Sequence, residues 1–212
     1  MNDLWRVVDA DHDLIWGLLN RLTGGPAARE GTPREHRRTA KLLVAVESAH
    51  EAAEELILWP RVRRCPGGDQ LVEQARHQEG EAKRALNELE HISAGNQEFD
   101  ECVQSLAGMA REHIAYEQNQ IWVRLDEQLR GDEPGLLAAE WLAARRTGPT
   151  RPHPHVPALP GILGSVGLLV AKADRTRDRL TGRRVPEPEK WGRTSGSSAP
   201  TSARPHVAGE GE

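Results

Sequence analysis

The sequence predicts an all-α protein: an up-down-up-down four-helix bundle with a C-terminal extension. Three observations predict it. Apolar residues recur at helical spacing up to about residue 130, short Gly- or Pro-containing breaks divide that stretch into four, and no alternating strand pattern competes. Length allows a bundle plus appendages in 212 residues.

The first helix is marked by Trp5, Val8, His12, Ile15, Trp16 and Leu19, and "TGGPAAREGTP" ends it. The second should run from about Pro33 to Arg64, with Leu43, Val46, His50, Ala53, Glu54, Ile57 and Leu58 on its stripe and a bend near Pro60. "CPGGD" stops it, and Asp69 is the expected N-cap of the third helix, from about Gln70 to His91. There the stripe reads Leu71, Gln74, His77, Glu81, Ala85 and Leu89. The fourth helix, from about Glu98 to Leu129, aligns Cys102, Leu106, Met109, His113, Glu117 and Ile121.

The bundle is therefore expected over 1–130. A short helix and Pro-rich linker follow over 131–160, an amphipathic helix over 161–184, and a disordered tail over 185–212. The amphipathic helix has two open readings. It docks on the bundle or on a second subunit, making an oligomer, or its basic end makes peripheral contact with an anionic membrane.

Charge and cysteine content narrow the class. Lys+Arg number 28 against Asp+Glu 32, a formal charge of −4, which argues against a nucleic-acid partner. No apolar run approaches a membrane span. Two cysteines, no signal-peptide pattern and an acidic, helical start indicate a cytoplasmic protein.

The chemistry lies in a repeated pair. A histidine followed four residues later by glutamate occurs as His50–Glu54, His77–Glu81 and His113–Glu117, one pair per predicted helix and each on its stripe. Positions i and i+4 share a helix face, so each pair can serve one point in space. The first helix offers His12 alone. A fourth match, at His206, falls in the tail and belongs to no helix. A single such pair is ordinarily a surface ion pair, but three carboxylates converging on one bundle interior demand a compensating cation. The predicted metal ligands are His12, His50, Glu54, His77, Glu81, His113 and Glu117. Four imidazoles and three carboxylates exceed one tetrahedral zinc and are too nitrogen-rich for calcium or magnesium. Two octahedral first-row ions fit, iron above all, with a bridging oxo or hydroxide completing the charge balance. Ferritin-like bundles use Glu-x-x-His instead, which this chain lacks at these places.

The segments "DADHDLIWGLL", "HEAAEELILWPRVR", "HQEGEAKRALNELE" and "EFDECVQSLAGMAREHIAYEQNQIW" resemble the hemerythrin-like, or HHE cation-binding, family over about residues 1–130. The resemblance implies a four-helix bundle around a non-haem di-iron centre, with the same seven ligands carried over by position. Oxygen-carrying members place a second histidine where Glu81 stands; more carboxylate should favour Fe(III) and shorten the life of a reversible O2 adduct. Trp59 and Trp122 replace the usual Tyr or Phe. Glu51 is a candidate hydrogen-bond partner for a ligand imidazole, whereas Tyr116 is expected to pack structurally.

Two classes of function follow. One is a protein that binds or senses O2, NO or iron; the other is a di-iron enzyme that removes H2O2 by catalase-like disproportionation, a role in oxidative stress. The residues leave enzyme against binding protein open.

Overall fold

The computed structural model describes residues 1–24, 31–153 and 168–180. These are helical, with no strand among them. Helix α1 spans Asp3–Thr23. Helix α2 runs Pro33–Ala53, through a π-helical turn Glu54–Leu58, to Trp59–Val62. Helix α3 spans Gly68–His91. Helix α4 runs Gln97–Tyr116, through a second π turn Glu117–Ile121, to Trp122–Asp126. Helices α5 (Glu133–Thr147) and α6 (Leu168–Leu180) follow.

Local chemistry sets most starts. The side chains of Asn2 and Asn96 accept from the backbone N–H of Trp5 and Phe99, and Thr32 and Glu35 form a reciprocal capping box with Pro33 behind it. The start of α3 differs from expectation. Gly67, at φ +72°, turns the chain, the helix begins at Gly68, and Asp69 pairs with Arg63 at 2.8 Å instead of capping. A side chain on Gly68 would put its Cβ 1.8 Å from the Val62 carbonyl oxygen, so only glycine closes this turn.

Two apolar clusters fill the bundle. One gathers Leu14–Leu22 of α1, Leu42–Val46 of α2, Leu86 and Leu89 of α3, and Phe99–Leu106 of α4. The other gathers Leu4, Trp5 and Val8 of α1, Ile57, Leu58, Trp59 and Val62 of α2, Val72 and Ala75 of α3, and Ile121 and Leu125 of α4. The late part of one helix meets the early part of the next, as alternating up and down directions require. A layer of polar side chains lies between the clusters.

The π turns decide what faces the second cluster. Trp59 N–H bonds the Glu54 carbonyl and Trp122 N–H bonds that of Glu117, five residues back. The extra residue advances the following turn, so Val62 and Leu125 are buried where Arg61 and Arg124 would otherwise point inward. Pro60 follows only the first of these turns, so proline is not their common cause.

Helix α5, expected outside the bundle, shares its core. Leu137, Trp141 and Ala144 belong to the second cluster, and Trp141 is fully buried. Its indole N–H donates to Asp11 Oδ2 at 3.0 Å, and Arg145 meets Asp11 Oδ1 at 2.8 Å. Packing therefore continues past residue 130, because α5 covers α1 and α2 where their polar layer would open.

Helix α6 is tied to the segment after α5. Thr150 N–H and hydroxyl donate to Asp174 and Asp178, Arg151 bridges Asp178 and Glu90 of α3, and His153 meets Asp174 at 2.9 Å. The described part of α6 thus docks on its own chain. The apolar start of the expected 161–184 helix and the expected tail lie outside the described residues. No helix among the described residues is long and apolar enough to cross a membrane.

Trp141→Ala should lower unfolding stability by about 3–5 kcal/mol, the usual cost of removing a buried aromatic, as read by denaturant titration. A loss below about 1 kcal/mol would mean α5 is an appendage.

Candidate metal centre

The polar layer is built from α1, α2, α3 and α4. His12, His50, Glu54 and Glu117 are buried, and His113 lies beside them with its side chain 14% exposed. His12 Nε2 is 3.1 Å from Glu117 Oε2, His50 Nε2 is 3.4 Å from Glu54 Oε1, and His113 Nε2 is 3.7 Å from that same oxygen. Glu54 thus stands between two histidines.

Helix α3 contributes a residue that the sequence reading missed. Its buried face is Val72, Ala75, Glu79, Leu86 and Leu89, and Glu79 alone on that face is charged. The expected ligands His77 and Glu81 do not join the layer: their side chains are 75% and 46% exposed, and they pair with each other at 3.9 Å. Each lies two residues from Glu79, about 200° of helical rotation, and so on the opposite face. The three-and-four spacing of Val72, Ala75 and Glu79 was the available signal; the His-x-x-x-Glu match drew the stripe two residues away.

Among the described residues, potential ligand atoms fall into two groups, each mutually within 4.8 Å: His12, His50 and Glu117, and Glu54, Glu79 and His113. An internal repeat relates them. "HEAAEELILWPRV" (50–62) and "HIAYEQNQIWVRL" (113–125) share His, Ala, Glu, Trp and Arg at the same five places. The contacts follow the repeat. Trp122 of the second segment stacks on His12 at 5.9 Å, and Trp59 of the first donates its indole N–H to Glu79 at 2.8 Å. Asp11 faces His50 Nδ1 at 3.8 Å, and Gln78 Oε1 meets His113 Nδ1 at 3.1 Å. Glu79 is therefore the counterpart of His12.

Around this layer, Lys83 touches Glu51, Glu55 and Glu79 at 3.5, 3.2 and 3.5 Å. Glu51, a candidate partner for a ligand imidazole, is thus engaged by a lysine. Tyr116 donates to the Leu71 carbonyl, the packing role expected of it.

The layer fits a metal on its own chemistry. His12 Nδ1 and Nε2, His50 Nδ1, both oxygens of Glu54 and of Glu117, and His113 Nε2 are buried without a hydrogen bond. Leaving so many buried acceptors unmatched is costly, and a cation satisfies them together. In the metal-free protein the same crowding moves pKa values apart. Burial, then the charge of Glu54, pushes Glu117 well up and Glu79 up to about 7. Burial opposes charge on His50 and His113, yet Glu54, together with Asp11 at His50 and Glu79 at His113, holds both above the ordinary imidazole value. Glu54 is itself held well down against the effect of burial, with His50 its main support, while burial and then His50 push His12 down.

The family profile described as "Hemerythrin HHE cation binding domain" matches residues 3–123. An uncharacterized hemerythrin-like protein of Schizosaccharomyces pombe is 25% identical over 144 residues, covering 67% of this chain and 67% of its own. A Nostoc protein named DNA nickase is 31% identical over 99 residues, 46% of this chain but 28% of that protein. No solved structure matches the chain.

His77→Ala and Glu81→Ala should leave metal content unchanged, whereas Glu79→Gln should lower it, as read by elemental analysis of purified protein. The reverse pattern would restore His77 and Glu81 as ligands.

Stability of the metal-free protein should fall as pH rises from about 5 to 8. Glu79, Glu117, His50 and His113 have raised folded pKa values, so their contribution is present at low pH and lost as pH climbs through those values. His12, depressed, has the opposite sign and acts below about 6.5; Glu54 acts only below the ordinary carboxylate range. Metal needs the ligands deprotonated, so the Tm gap between loaded and metal-free protein should widen over the same range. Calorimetry of both forms at several pH values reads this directly.

Proposed function

Since the chain belongs to the hemerythrin HHE cation-binding domain family, we propose that its polar layer holds two non-haem iron ions and binds O2 or NO there, as a binding or sensing protein. The observation that carries this reading is the pair of repeat-related triads, His12–His50–Glu117 and Glu54–Glu79–His113. Three imidazoles and three carboxylates suit two octahedral first-row ions better than one zinc or a calcium. Bound iron would supply open coordination positions and one-electron steps to a small inorganic ligand.

The chain's own groups do the positioning. Gln78 fixes the ring of His113, so Nε2 faces the layer. Trp141 packs edge-on to His50 at 5.3 Å, and Trp5 and Trp122 stack at 4.7 Å over the His12 side. These rings exclude water from the layer, which strengthens every charge interaction inside it. The proposed setting is the cytoplasm, where the free cysteines Cys65 and Cys102 stay reduced.

Disproportionation of H2O2 is the second reading. Half of the six ligands are carboxylates, which favours the ferric state over a lasting O2 adduct. Glu51, buried outside both triads, is pushed well up by burial despite Lys83, a shift that favours a proton on a carboxyl beside the layer. The nicking activity in the Nostoc relative's name does not transfer on this match, which spans 28% of that protein, and a net charge of −4 gives no basic excess for DNA.

Protein purified from iron-replete cells should carry near two irons per chain, and Glu54→Ala, which removes the carboxylate between both histidines, should lose most of them. Added H2O2 should then bleach the visible spectrum stoichiometrically. Sustained O2 evolution would replace binding with peroxide removal, and no iron would end both readings.

A further inference from the structure

We infer that the two metal positions are unequal: His12, His50 and Glu117 take the first ion tightly, and Lys83, clamped on Glu79, makes the Glu54–Glu79–His113 position the later and weaker one to fill. The inference rests on the reading of the layer as a two-metal site.

The internal repeat pairs His50 with His113 and Glu117 with Glu54, so the triads differ at one place, His12 against Glu79. Counted by carboxylates alone, the Glu79 position would attract a cation more strongly. Yet Glu79 is already engaged at both oxygens. Oε1 accepts from the Trp59 indole at 2.8 Å, and Oε2 faces the Lys83 ammonium at 3.5 Å. The same ammonium lies 3.5 Å from Glu51 and 3.2 Å from Glu55, so three carboxylates anchor it. The Lys83 side chain is 21% exposed, but those of Glu79 and Glu51 are only 1% and 4% exposed, so solvent screens the pairs from one side only.

The related position carries no such clamp. Both ring nitrogens of His12 and the indole N–H of Trp122, its repeat partner to Trp59, have no hydrogen-bond partner among the described residues. An ion arriving there meets no lysine clamp or indole hydrogen bond on its ligand atoms, only the close approach of His12 Nε2 to Glu117 Oε2. One arriving at Glu79 must compete with a hydrogen bond at one oxygen and an ion pair at the other.

The test is anaerobic titration of the metal-free full-length chain with Fe(II), read by calorimetry and by native mass spectrometry for ions per chain. The first ion should bind on the order of 10–100-fold more tightly than the second, the range over which groups contacting ligands tune affinity. Glu79→Gln should keep the tight ion and lose the weak one. Lys83→Met should shrink the gap, and Trp59→Phe, which frees Glu79 Oε1 without changing charge, should move it in the same direction. Two ions of equal affinity in the unmodified chain would overturn the inference while leaving the two-metal reading intact. An unchanged gap in a folded Lys83→Met and in Trp59→Phe would also overturn it. No binding at all would sink both.

Discussion

Carboxylates and imidazoles that no hydrogen bond satisfies are packed into one layer of a bundle interior, and the rest of the molecule is arranged around that constraint. Glu54 and Glu117 are fully buried with both oxygens unmatched. Such a layer is tolerable only with positive charge inside it. Part of that charge comes from the chain: Lys83 on the α3 side, and Arg145 on the α1 side through Asp11. A metal cation held by the two triads would supply the remainder.

The same constraint accounts for two features that look local. Each π turn begins at a layer glutamate, Glu54 or Glu117, and ends just before a tryptophan. The extra residue lets glutamate face the layer while Val62 or Leu125 still reaches the apolar cluster below. Without it, one helical face would have to present a ligand and then an arginine. The fifth helix answers a related need. Asp11 carries a charge next to His12, and Trp141 and Arg145 of α5 supply its buried partners.

The internal repeat gives the site its economy and its asymmetry. Two hairpins, α1–α2 and α3–α4, bring equivalent histidine, glutamate and tryptophan side chains to one layer. Where equivalence fails, at His12 and Glu79, the surroundings differ with it: a stacked tryptophan on one side, a lysine and an indole hydrogen bond on the other. A neutral imidazole needs no resident cation, whereas a carboxylate in the same position does.

Sequence by itself determined the helices, their order, the bundle and five of the layer residues: His12, His50, Glu54, His113 and Glu117. Hydrophobic periodicity and capping act within a few residues, and a histidine–glutamate pair on one helix obeys the same short-range rule. Tertiary structure decided what depends on facing. Along α3 a two-residue difference separates inside from outside, so His77 and Glu81 point to solvent and Glu79 inward. Which face a helix buries is fixed by its neighbours, not by its own pattern when polar residues mark both faces. The role of α5 was settled the same way: Trp141 meets Asp11 across 130 residues, a distance in sequence that no local spacing reports.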